Sequence, residues 1–495
     1  MWKMCLKQLR QRLKKLTNGE ISIYLSLVFT LIISLVLTVI SVARGAALQV
    51  VYECAVESSL LSVFGQYNRE LLDRYDVFFI DLSYLSNSPD PSNLEARLNE
   101  YFDDNFHPEN GTSFLFYSDI LDVEETNVSL TEYELATDRF GEPFARQVTE
   151  YMSNLVGVSD VQDMLNLVDI WDAYDLGSNK FDELRDSVSQ GVTYSEEDTW
   201  EQTKIKKDLV AIMYPSYDLV VFFGTDIGHL SQESIAGYDT LLLRSKQQGV
   251  GNMTEFDFEP AENVYFSEYV MQKMGNYIDP KDDTKLKYEV EYIICGNDSD
   301  VVNVQIFAKY IYAVRGIADY LSLNMATDKV EKVRGVAETL SAIIKVPEEV
   351  ITQVILLGWA AVEAVTDVQM ILKGKKVPLI KSSDQINVSI NGLLNAFSDT
   401  DKLIGDSSGT DEITEGEIPS ISLGYSDYLR LFLYLTPTIV KTYRTMDMIE
   451  ADLRISGTGN EYFRFDVCAD KIKAIFSVET GFDFRYTTEK KYSFY

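Results

Sequence analysis

Residues 21–43 read ISIYLSLVFTLIISLVLTVISVA, an apolar run without one charged side chain. At 1.5 Å per residue, a helix of about 23 residues spans the ~30 Å hydrocarbon core of a bilayer. Six basic residues precede it: Lys3, Lys7, Arg10, Arg12, Lys14 and Lys15. Lys and Arg gather on the cytoplasmic side of membrane spans, so the run reads as a single pass with its N-terminus inside and everything after Arg44 outside. A secretory signal has an apolar core of only ~7–15 residues, which favours a retained anchor; the segment Ala43-Arg44-Gly45-Ala46-Ala47, rich in small residues, leaves cleavage there as the alternative.

The helical pattern continues past the anchor. Ala46, Ala47, Val50, Val51, Cys54, Leu60, Leu61 and Phe64 extend an apolar face, and no proline intervenes before Leu72. The expectation is one helix from Ile21 to Leu72, half in lipid and half a stalk. The stalk packs either on the outer domain or on a neighbouring subunit.

The chain divides into a basic leader (1–19), a transmembrane helix (20–43), a stalk (44–74), a first α+β region (75–285) and a second, helix-rich region (286–495) ending in strands. The fold class expected is α+β, mostly helical, with small antiparallel sheets. Strands are expected at 75–81, 114–117, 120–128, 287–295, 463–467 and 471–478. Helices are expected at 94–102, 137–156, 160–174, 300–321, 326–344, 347–372, 427–435 and 436–454. Residues 178–199 are polar and acidic and read as an insertion. Val350 to Val365 is apolar enough to suggest a second span, but Glu363 and Asp367 sit in the same helix and a carboxylate at mid-bilayer is costly. It is read as a buried core helix.

The net charge is −33, and the first 20 residues hold six of the basic groups and one acid, leaving 38 basic against 76 acidic residues in the remainder. Such a surface repels nucleic acid and anionic headgroups. Of the three cysteines beyond the apolar run in this topology, Cys295 and Cys468 end strand-like apolar runs. They are either a disulfide or two buried thiols.

Gly19-Glu20 follows a basic stretch and opens the apolar helix, the shape of a prepilin leader. The type IV pilin pattern carries Glu at the fifth position after the glycine; here Tyr24 is fifth and Glu20 first. Gly19 to Leu27, Gln66 to Leu72 and Tyr75 to Asp81 together resemble a family from clostridia and related Firmicutes with TadE/TadG-like character. Tyr288 to Ile293, Trp359 to Glu363, Gly374 to Leu379 and Tyr428 to Arg430 extend the resemblance through most of the chain. It implies a membrane-anchored, pseudopilin-like component of a tight-adherence (type IVb) pilus or related secretion system, with other membrane proteins of that system as partners. The alternative is an adhesin or an extracytoplasmic sensor, with a cation as one candidate ligand.

No enzyme is expected. Two histidines, His107 and His229, are too few for a His-based zinc centre. Neither a nucleophile elbow nor a phosphate loop is present, so no cofactor and no small-molecule substrate is expected. Asp81-Leu82-Ser83-Tyr84-Leu85-Ser86 approaches the Asp-x-Ser-x-Ser of a metal-dependent adhesion site, but its second serine comes one residue late. Ser231, His229 and Asp226 lie close in sequence without a triad context. The acidic stretches 399–401 and 406–417 read as solvated loops. Glu363, on an apolar helix with Trp359, needs a cationic partner, and Arg315, Arg334 and Arg430 are the candidates.

Overall fold

The computed structural model describes residues 18–85, 87–107, 121–177, 179–215, 219–224, 227–251, 258–389, 421–482 and 484–494, together with 4, 7 and 11. The expected strand at 114–117, Asp226, Ser86 and the acidic stretches 399–401 and 406–417 fall outside these residues.

Helix α1 (Asn18–Phe64) is a single 47-residue helix. Residues 21–43 are exposed over the whole circumference, and from Gly45 the helix enters the folded domain. Gly45, Leu48, Tyr52, Ala55, Val56, Ser59, Leu60 and Val63 are buried, the three-to-four spacing of one helical stripe. The stalk therefore lies on its own domain. The face expected to be buried is largely the opposite one: Val50 and Leu61 are 63% and 58% exposed, and Ala46, Ala47 and Cys54 are exposed with them. The helix also ends at Phe64, short of the expected Leu72. Asn68 takes extended backbone and its side chain accepts from Leu71 N at 3.1 Å, capping a separate helix α2 (Arg69–Tyr75). Asn competes for backbone donors and so favours a cap over continuation.

There follow β1 (Ile80–Asp81), α3 (Pro91–Asp104), β2 (Val123–Leu135), α4 (Asp138–Ser153), α5 (Val158–Ala173), α6 (Lys180–Gln190), α7 (Trp200–Ala211), α8 (Leu219–Phe223), α9 (Pro260–Lys273), α10 (Glu289–Cys295), α11 (Asp300–Met325), α12 (Thr327–Ile344), α13 (Glu348–Leu372), β3 (Val377–Pro378), β4 (Ser422–Leu423), α14 (Tyr425–Leu435), α15 (Thr438–Ile455), β5 (Cys468–Thr480) and β6 (Arg485–Ser493). The α+β class holds: helices dominate, and the sheets are small and antiparallel.

The main sheet is built around β5, with β2 along one edge and β1 and β6 along the other; Val128 and Thr488 both pair with Phe476. On one face Ile472, Ala474, Phe476 and Val478 meet α1 and α3 in an apolar cluster. Phe102 packs edge-on to both Tyr52 and Phe476. The second and larger cluster is helical, formed around α11 and α13. The expected boundary at 285/286 does not separate these units, because β5 near the C-terminus completes a sheet begun by β1 and β2.

Three local readings are corrected. Within the expected strand 287–295, Glu289–Cys295 form α10 instead: Glu289 to Ile294 are all buried, so alternation carries no information about which side faces water. Residues 178–199 contain α6, held by the buried Arg185, whose guanidinium donates to Met213 O at 2.8 Å and lies over the Phe181 ring at 4.6 Å. Residues 463–467 form a loop and a single 3-10 turn, and the strand pair is β5 with β6. The second apolar stretch is a core helix: Ile351, Val354, Leu357, Trp359, Ala361 and Val368 of α13 are buried among its neighbours.

Candidate functional site

The helix break after α1 shapes a concavity walled by polar groups. A cavity of about 740 Å³ opens between α2, the loop after β1 and the turn after α15; Gln66, Tyr67, Arg69, Asp81, Tyr84 and Arg97 line it. Hydrogen bonds hold its frame. Asn68 Nδ2 donates to Asn460 Oδ1 at 2.8 Å, and Glu70 Oε2 accepts from Asn460 Nδ2 at 2.6 Å, from Ser456 Oγ at 3.0 Å and from Thr458 Oγ1.

Three buried polar atoms on its wall have no protein partner: Asp81 Oδ2, Gln66 Oε1 and Tyr84 Oη. Asp81 is only 6% exposed, and its Oδ1 accepts from Ser83 N at 2.8 Å. Burial pushes the Asp81 carboxyl up, against contacts from Ser83 and Leu85 that pull it down. Burial likewise pushes Tyr84 up to about 12. The backbone just after this acid and serine is strained: Tyr84 and Leu85 hold φ of 47° and 65°, a left-handed pair with no glycine. Buried acceptors are nearly always satisfied by protein, water or ligand. The three are two oxygen acceptors and a hydroxyl, groups that pair with hydrogen-bond donors. They do not make a cation cage: among the described residues no three His, Cys, Asp or Glu side chains converge to hold a metal.

Glu363 occupies a different environment, sealed inside the helical cluster. Its partner is Lys381, and none of the three arginines: Lys381 Nζ lies 2.5 Å from Glu363 Oε1 and 2.7 Å from Asp367 Oδ1. Arg315 instead pairs with Asp367 at 2.6 Å and Asp319 at 2.7 Å, and its Nη1 donates to Pro378 O and Leu379 O. Arg334 faces Glu348 and Arg430 faces Glu268. Glu363, Asp367, Asp319, Lys381 and Arg315 are all buried. Three carboxylates against two cations leave one acid in excess. Burial pushes Asp319 well above the carboxylate range; burial also pushes Asp367 up, but Arg315 and Lys381 outweigh it and hold it low. Glu363 also accepts from Asn387 N at 2.9 Å and Val388 N at 2.8 Å, which ties the segment after β3 to α13. This is a structural clamp, closed to solvent.

The remaining sequence-predicted groups are not brought together. Cys295 and Cys468 are free thiols, so the disulfide alternative is set aside. Cys295 ends α10 and Cys468 opens β5. Burial pushes both thiols up, which makes them poor nucleophiles. Gly19 and Glu20 lie in the first turn of α1. His107 contacts Asp103 at 2.9 Å. His229 is exposed, while Ser231 Oγ donates to Asp300 Oδ2 at 2.6 Å. The cavity escaped sequence reasoning because its walls come from segments near 66–97 and near 458–460; the one signal in sequence was the Asp81-x-Ser83 pair.

A family model described as a family of unknown function, DUF5702, matches residues 214–480. The chain belongs to this family. The DUF5702 match covers the helical cluster around α11 and α13, the Glu363 clamp and β5, while α1 and the cavity wall at Gln66 to Arg97 precede it. No curated protein and no solved structure matches the chain.

Proposed function

We propose that this DUF5702 protein is a single-pass membrane protein with an extracytoplasmic domain, acting as a pseudopilin-like structural or assembly component of a Tad-type pilus or related secretion system. The observation that carries the reading is α1: its first half is uniformly apolar and exposed, and its second half is built into the domain without a hinge. The basic leader supports the orientation. Ala46, Ala47, Val50 and Cys54 form an exposed apolar strip just above the membrane span, with Leu61 on the same face beyond the exposed Glu57, which suits lateral contact with another helix. Photocrosslinkers at Val50 and Leu61, used in native membranes, are expected to capture pilus or secretion-system membrane proteins. Capture of lipid alone, together with intact piliation in a deletion strain, overturns the assembly role.

The cavity at Asp81 favours a second reading, a binding module or sensor. Asp81→Asn keeps the shape and replaces one unpaired acceptor oxygen with a donor. Burying an unpaired acid costs stability, so the variant is expected to be about 1 kcal/mol more stable than the parent. Donor-rich small molecules such as oligosaccharides are expected to raise the melting temperature of the parent and to leave that of the variant unchanged. Equal shifts in both proteins would remove the cavity from consideration.

A further inference from the structure

The tip of the β5–β6 hairpin sits where α1 leaves the apolar run. Arg44, the first charged residue after that run, lies over the Phe482 ring at 4.3 Å. Gly45 has no Cβ, and one placed there would be 3.3 Å from the Phe484 ring, so the hairpin is seated directly on the helix. Tyr486 Oη donates to Gly45 O at 3.1 Å. The tip is braced by Thr480 N to Phe484 O at 3.0 Å and by Gly481 N to Asp122 O at 2.9 Å. Phe482 is nevertheless 42% exposed.

We propose that Phe482 and the hairpin tip rest in the bilayer interface beside α1, giving the domain a second membrane contact that fixes its tilt. The inference rests on the membrane-anchored reading of α1. With residues 21–43 filling the hydrocarbon core, Arg44 stands at headgroup level, where long basic side chains and aromatic rings are both favoured. A ring held within 4.3 Å of that guanidinium is at the same depth. The carboxylates of Asp122 and Glu124 flank Gly481, so the tip is not drawn to anionic lipid. The contact is burial of a ring, and added salt leaves it unchanged.

The test uses the full-length protein reconstituted in phosphatidylcholine vesicles whose acyl chains are brominated near the headgroup. Phe482→Trp reports on the tip. Tyr462→Trp is the distal control: Tyr462 is 51% exposed, and the nearby Asn460 bonds Asn68 beyond the far end of α1, about 30 Å of helix from Arg44. The indole emission gained by Phe482→Trp is expected to fall by about half on bromination, at low and high salt alike, while that gained by Tyr462→Trp is unchanged. Protein retained in the vesicles with the tip indole unquenched, or both indoles quenched equally, overturns the hairpin contact and leaves the anchor standing. Protein that washes off the vesicles overturns the anchor and the hairpin contact with it.

Discussion

Replacing Lys381 with methionine is expected to destabilise the fold by about 3–5 kcal/mol, because it strips a cation from a sealed network and leaves carboxylates without compensation. Lys381 is the only cation within reach of Glu363 among the described residues, and it shares Asp367 and Asp319 with Arg315. After the substitution, three buried acids would face one guanidinium. The cluster would either take up further protons or admit water, and the segment from Val377 to Val388, fastened through Arg315 and Glu363, would lose part of its attachment. Urea unfolding of the detergent-solubilised chain measures the loss. A loss below about 1 kcal/mol would show that water already enters the cluster. The double variant Lys381→Met, Glu363→Gln is the internal control. It removes one charge of each sign, keeps an acceptor for only one of Asn387 N and Val388 N, which bond different oxygens of Glu363, and is expected to recover part of the loss through the coupling of neighbouring sites.

Stability is expected to fall as pH rises from about 4.5 to 7. Burial pushes Glu291 up to about 7, against hydrogen bonds from Tyr425 Oη at 2.6 Å and Tyr277 N at 2.9 Å. Burial pushes Asp447 up to about 7 as well, with Glu450 adding to it and Arg244 and Arg444 opposing. A carboxyl with a raised folded value contributes fully at pH below its unfolded value, and the contribution is lost as pH climbs through the folded one. Each unit is about 1.36 kcal/mol, so each of the two acids removes about 3–4 kcal/mol over that window. Glu134 and Asp466 are held low by arginines despite burial, and their contributions vanish only in stronger acid. Lys441 is lowered to about 7 by burial and changes the balance only at the upper end of the window. Thermal unfolding across pH 5 to 7.5 reads the slope. Glu291→Gln and Asp447→Asn should each flatten it; an unchanged slope in the double variant would refute the assignment.

Much of the helical framework was legible in the chain alone. Glu348 to Leu372 announced itself by length, apolarity and the acidic first turn after Pro347, and its two internal carboxylates marked it as core rather than membrane. The partner of Glu363 was not legible. Lys381 lies 18 residues on, beyond the end of α13, and reaches back only because the chain reverses at Gly374, whose φ of 79° suits glycine. Three arginines looked equally suitable on charge alone. The cavity at Asp81 was hidden for the same reason. Its walls meet through Asn68 and Asn460, 392 residues apart, and nothing local records that contact.

The N-terminal helix long and apolar enough to cross a bilayer, the acidic composition and the periodicity of the long helices follow from neighbouring residues, since turn-by-turn backbone geometry and transfer into lipid depend on local composition. Which side of α1 is covered does not. Both of its outer faces carry apolar residues, and the choice of Leu48, Tyr52, Val56 and Val63 over Val50 and Leu61 was made by β5, whose Phe476 O accepts from Tyr52 Oη across 424 residues and whose Ile472, Phe476 and Val478 share one face. Burial is a property of paired surfaces. A single segment can offer two candidate surfaces, and the path of the distant chain selects between them.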